Sequence, residues 1–110
     1  MVVYAEESYS FYLSPGETRY TELVEKTNQA TYATVVKGGS SISYTYARYT
    51  VVNNANYTKS ETVKAYGVTT VQLSYSGYNV QKGDFIKLKV VNNTNDNSGS
   101  FLTVTGSWSP

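Results

Sequence analysis

Three stretches of the chain, 8–14, 68–75 and 85–91, alternate apolar and polar side chains with a period of two. Only a pleated strand sends every second side chain to the same face, so this period commits the chain to half-buried β-strands. In the first stretch Tyr9, Phe11 and Leu13 share one face, and Ser8, Ser10, Tyr12 and Ser14 share the other. In the second, Thr69, Val71, Leu73 and Tyr75 form the inner face. In the third, Ile86, Leu88 and Val90 point inward while Lys87 and Lys89 point to solvent.

Turn chemistry punctuates these runs. Pro15-Gly16, the Asn53-Asn54-Ala55-Asn56 run, Ser76-Gly77-Tyr78-Asn79 and Lys82-Gly83-Asp84 supply residues that fix or tolerate turn dihedrals. Residues 17–26 are less regular. Leu23-Val24 could open a helical turn, but Arg19-Tyr20-Thr21 and the lack of a cap predict an irregular or bulged strand. Residues 30–37 predict a strand with Tyr32, Val35 and Val36 in the core, ended by a hairpin turn at Gly38-Gly39. The longest alternating stretch is 41–52, with Ile42, Tyr44, Tyr46 and Arg48 on one face and Ala47, Tyr49 and Val51 on the other. Aromatics on both faces predict a bend or bulge midway.

Residues 62–66 read as a short strand closed by Gly67. Residues 101–108 read as a final strand with Leu102, Val104, Gly106 and Trp108 on one face. The last two strands are expected to pair as neighbours across the polar loop 92–100, with Gly106 leaving room for a large neighbour such as a Tyr. Altogether this makes about eight short strands with turns between them. The expected fold is a single-domain antiparallel β-sandwich of jelly-roll or Ig-like topology.

Composition narrows the chemistry. Cys and His are both absent, which excludes disulfides, Cys-ligated zinc and the commonest general base. Twelve Tyr, fourteen Thr, thirteen Ser and nine Asn stand beside a single Met, a mixture suited to half-exposed strands joined by polar turns. The net charge is +1, and no block of like charge reaches the length of a nucleic-acid arm or a polybasic membrane anchor. Lys82, Lys87 and Lys89 come closest to a cluster and read as a solvated face. No stretch is long and apolar enough for a transmembrane segment.

A glycosidase-like site needs two carboxyls held roughly 5–9.5 Å apart across a cleft. The acids available are Glu6, Glu7, Glu17, Glu22, Glu25, Glu61, Asp84 and Asp96. A chain of this length has little to spare for a deep cleft, so it is expected not to be an enzyme, with no catalytic residue and no cofactor. Residues 93–99 place oxygen ligands at alternate positions, as calcium loops do. They carry one carboxylate and no closing Glu, so a plain loop without metal is expected.

The tyrosine excess points to surface recognition. Aromatic rings stack on the apolar faces of sugars, and Asn, Thr and Ser supply hydrogen bonds; the same rings also pack cross-strand without any ligand. Tyr12, Tyr44, Tyr46, Tyr57, Tyr66 and Tyr78 are the ligand-facing candidates.

At the amino end Val3-Tyr4-Ala5 precedes Glu6-Glu7-Ser8. A compatible residue followed two places on by a small one, then an abrupt change to acid, matches the signal-peptidase rule with cleavage after Ala5. Residues 1–5 are then the remnant of a signal peptide and 6–110 the mature domain.

The carboxy-terminal run from Gly83-Asp84-Phe85 through Val90-Val91-Asn92, a Ser/Asn loop and Val104-Thr105-Gly106-Ser107-Trp108-Ser109-Pro110 resembles the end of certain small exported proteins of Bacillus-type and Clostridium-type bacteria. These are known only as a domain of unknown function, and their mature chains also open on an aromatic-Ser-Phe strand, as Tyr9-Ser10-Phe11 does here. The resemblance covers the two ends. It implies export from a Gram-positive cell and an all-β fold, and it transfers no site residue. Some of these proteins are encoded near bacteriocin-like genes, which keeps a secreted effector open. The expected function is a secreted, non-catalytic binding module for an extracellular protein or a glycan, with no nucleic-acid partner. A carbohydrate-binding module is the alternative.

Overall fold

A computed structural model describes residues 6–39, 46–92 and 101–110. They hold nine strands and no helix: β1 (Glu7–Leu13), β2 (Thr18–Tyr20), β3 (Val24–Glu25), β4 (Tyr32–Gly39), β5 (Tyr46–Asn53), β6 (Val63–Tyr66), β7 (Thr69–Ser74), β8 (Phe85–Asn92) and β9 (Leu102–Ser109). Every pairing is antiparallel. One sheet has the order β1-β9-β4-β7; the other has β2-β8-β5-β6, with β3 also on β8. The two pack face to face as a β-sandwich. No helix of the described residues is long and apolar enough to cross a membrane.

The period-two runs set the core. Leu13, Leu73, Leu88, Val90, Val104 and Trp108 are all fully buried, from strands of both sheets. The irregular 17–26 stretch is β2 and β3, two short pieces on the same edge of β8. Between them the Thr21 hydroxyl accepts the Leu88 N–H at 2.9 Å, in place of a backbone carbonyl. The first crossover is held by Glu17, whose carboxylate accepts from the Ser14 N–H at 2.9 Å and from Arg19 Nε at 2.8 Å. The Ser14 amide, then Arg19, lower its pKa. Buried Asn92 donates to the carbonyls of Leu13 and Ser14 from the opposite sheet.

Three expectations are corrected. In β4 the inward residues are Ala33, Val35 and Lys37, while Tyr32 and Val36 are exposed. Tyr32 and Val36 cannot share a face with Val35, because the pleat sends alternate residues to opposite sides. Gly38 and Gly39 are not a hairpin turn; they extend β4 and pair with Thr105 and Val104, and β4 and β5 lie in different sheets. At Gly39 a Cβ would lie 2.4 Å from the Thr103 carbonyl oxygen, so the strand needs Gly there to approach β9. β8 and β9 do not pair; their apolar faces oppose each other across the core from different sheets. A strand with one apolar face is equally satisfied by a neighbour or by a facing sheet, and here facing wins. From Ala47 to Asn53 β5 keeps continuous register with β8, and the expected bend or bulge midway through 41–52 falls where the described residues resume. The first part of the 41–52 stretch, with Ile42 and Tyr44, lies outside the described residues, as do residues 1–5 and the 93–99 loop.

Candidate functional site

Outward residues of β1, β9, β4 and β7 build a face of hydroxyl, amide, aliphatic and aromatic side chains, with the Glu6 carboxylate at its edge accepting from the Ser107 hydroxyl at 2.5 Å. Ser8 pairs with Ser107 and Ser10 with Thr105, while Thr34 lies opposite Gln72 and Val36 opposite Thr70. Neighbouring strands stand about 4.8 Å apart and successive outward residues about 6.7 Å apart, so the hydroxyls form a regular grid. At one end of this grid Tyr12 and Phe101, 63% and 55% exposed, stack with ring centroids 5.3 Å apart and planes within 10°. Burial of aromatic surface drives most side chains of this size inward, yet two rings here spend it on each other in solvent. Tyr32 is exposed at the opposite corner.

The other tyrosines singled out from the sequence are scattered. Tyr57 and Tyr66 are exposed and Tyr78 is half-buried. Tyr46 is not exposed: it lies on the outer side of β5 but keeps only 1% of its surface, covered by the Tyr66 ring at 4.8 Å and the Lys64 ammonium at 5.0 Å. Tyr44 lies outside the described residues. Among the described candidates, only Tyr12 joins a second exposed ring in a flat pair. Its partner Phe101 was missed because it stood at the start of an expected strand, where alternation gave no reason to pair it with residue 12.

A groove of about 350 Å³ runs between the edge strands of the two sheets, walled by β1 and by the β2–β3 edge. It brings together Glu7 and Glu22 with Tyr9, Phe11 and Tyr20. Among the described residues neither carboxylate is held by a hydrogen bond or an ion pair. A second cavity of about 400 Å³ is lined by Lys26, Gln29, Val80 and Lys82. Lys26 is fully buried; its ammonium donates to Asn28 Oδ1 at 2.6 Å and to the Pro110 carbonyl oxygen at 2.7 Å, beneath the Tyr75 ring. Burial lowers its pKa, as it lowers that of fully buried Lys37, which donates to the Gly67 carbonyl. No alternating pattern announces a lysine that turns inward. Among the described residues no cluster of three or more acids is placed to hold a metal ion.

No family model matches the chain, and no curated protein matches it.

Proposed function

We propose that this chain is a non-catalytic binding module that works outside the cell, and that it holds a neutral glycan on the outer face of the four-stranded sheet. The observation that carries the reading is the exposed, nearly parallel Tyr12–Phe101 pair beside the hydroxyl grid. A sugar ring presents C–H groups on one face and hydroxyls around its rim. Stacked aromatic rings serve the first, and Ser and Thr side chains exchange hydrogen bonds with the second. The strands of this face present no cation, and the Glu6 carboxylate at its edge accepts from the Ser107 hydroxyl, so an anionic polymer would go uncompensated there and a neutral one fits better. The non-catalytic part of the reading is supported by Glu7 and Glu22. A general acid is kept in place by its neighbours, and among the described residues neither of these two carboxylates has a hydrogen-bond or ion-pair partner.

Retention on cellulose, chitin, xylan and β-glucan, followed by titration of the best, tests the site. Tyr12→Ala and Phe101→Ala are each expected to weaken binding about tenfold, equivalent to about 1.4 kcal/mol per ring. Tyr57→Ala, exposed but outside the grid, is expected to leave binding unchanged. Full retention by both ring variants, or no retention of the native chain by any neutral glycan, overturns the reading. Fractionation of the producing cells checks the location, with the protein expected in the medium or at the cell surface.

A further inference from the structure

The outer face of the second sheet has the opposite character. Lys87 and Lys89 point outward from β8, Arg48 from β5 and Lys64 from β6. Arg48 lies opposite Lys64 and also opposite Val91; Thr50 lies opposite Lys89. The four cations therefore follow a diagonal across three strands, on the order of 20 Å long from ordinary strand rise and spacing. Among the described residues none of the four has a carboxylate within ion-pair distance. Glu25, opposite Phe85 on the neighbouring edge, is the acid at its margin. A chain with net charge +1 has thus placed four of its nine basic residues on one face with no ion-pairing carboxylate among the described residues. Surfaces usually intersperse both signs, because like charges on one sheet face repel.

Two of these ammonium groups are seated on tyrosine rings: Lys87 lies 4.5 Å from the Tyr20 centroid and Lys64 lies 5.0 Å from that of Tyr46. This preorganises the charges. Thr18, Thr50 and Thr62 add hydroxyls on or beside the track, with Thr50 and Thr62 hydrogen-bonded to each other at 2.7 Å. We infer that this face binds an acidic polysaccharide, a linear glycan carrying carboxylates or sulfates, laid along the Lys87-Lys89-Arg48-Lys64 diagonal. Charge complementarity selects an anion, the extended track selects a polymer, and the flanking hydroxyls serve a sugar chain. Phe85 and Tyr66, outward and exposed on the same face, are the rings a base would need, and the DNA arm of the test decides between the two. The site is separate from the neutral-glycan face, and either one stands without the other.

Affinity for polygalacturonate and dextran sulfate, measured over a range of salt concentrations, tests the inference, with dextran, single-stranded DNA and phosphatidylglycerol vesicles in parallel. The native chain is expected to bind the two acidic glycans, with affinity that falls as salt rises. Lys87→Gln/Lys89→Gln and Arg48→Gln/Lys64→Gln should each weaken binding about tenfold or more and lower the log–log salt slope by about one unit per cation removed. Both double variants keep side chains of similar shape, and a thermal melt like that of the native chain confirms that they fold. Tyr12→Ala should leave acidic-glycan binding unchanged, which separates this face from the other. The inference is overturned if both double variants bind like the native chain. It is equally overturned if, in a Tyr12→Ala/Phe101→Ala background that removes the neutral-glycan face, dextran binds as well as dextran sulfate, or if DNA or vesicles bind more tightly than either acidic glycan.

Discussion

Gly106 sits where three strands meet. A Cβ there would lie 1.8 Å from the Val36 carbonyl oxygen and 3.0 Å from the Tyr9 hydroxyl. The expected vacancy for a tyrosine is thus occupied by Tyr9, directly opposite Gly106 in the β1–β9 register. Tyr9 donates its proton to the Val36 carbonyl at 2.9 Å, so in its 2.8 Å bond with Tyr49 it accepts. One hydroxyl pair therefore ties β1 and β4 of one sheet to β5 of the other. Burial raises the Tyr9 pKa to about 12, with the Tyr49 hydrogen bond opposing the rise. Gly106→Ala should cost about 3 kcal/mol or more, since both contacts include backbone or a buried hydroxyl that cannot swing aside. Tyr9→Phe should cost about 1–3 kcal/mol by leaving the Tyr49 hydroxyl without its acceptor. Adding Tyr49→Phe should cost less than the sum of the two single changes, because the orphaned partner goes too. Denaturant melts of the four variants measure this, and strict additivity would mean that the pair is not coupled.

β8 is the strand whose faces were clearest in advance. Ile86, Leu88 and Val90 are buried, and Lys87 and Lys89 are on the other side, as alternation required. Leu88→Ala should cost about 2–5 kcal/mol in a denaturant melt, as large-to-small core changes do. Lys87→Ala should cost about 0.5–1 kcal/mol, the worth of an ammonium resting on an exposed ring. Equal costs would mean that the strand is paired one residue out of register. β4 shows where alternation was misread. Counting apolar residues favoured Tyr32, Val35 and Val36 together, but the pairing of Val35 with Val71 and Trp108 sets the inner face and carries Lys37 in with it. A lysine at an inward position breaks the apolar pattern, so only the neighbouring strands reveal that the position is buried.

The buried ionisable groups give the whole molecule a distinct response to alkali. Lys26 and Lys37 have lowered pKa values from burial, so the unfolded chain holds their protons more readily than the native one. Stability should therefore rise with pH from those lowered values up to the ordinary lysine range. Burial raises the pKa values of Tyr9, Tyr49 and Tyr75, so the native chain keeps protons that the unfolded chain loses above about pH 10. Past that point stability should fall as pH climbs. Denaturant melts between about pH 7 and 11 should show a maximum on the alkaline side, short of the phenol range. The tyrosinate absorbance of these three rings should appear together with loss of structure. If all tyrosines ionise before unfolding, the Tyr9–Tyr49 bridge and the burial of Tyr75 are wrong.

The chain by itself determined that it would be all-β, and it determined the inner faces of β1, β7, β8 and β9. Alternation is a property of the pleat, written residue by residue, and it needs no knowledge of partners. The lack of Cys and His likewise removed whole chemistries from the composition alone. Partners were decided by the tertiary structure. Loop closure costs only slightly more for a long connection than for a short one, so the polar 92–100 segment left β9 free to join β1 and β4 instead of β8. From that choice followed the seating of Phe101 against Tyr12 and the separation of a hydroxyl face from a cationic one. Residues as distant in sequence as Arg48 and Lys89 share a surface because β5 pairs with β8, and local patterning carries no term for that contact.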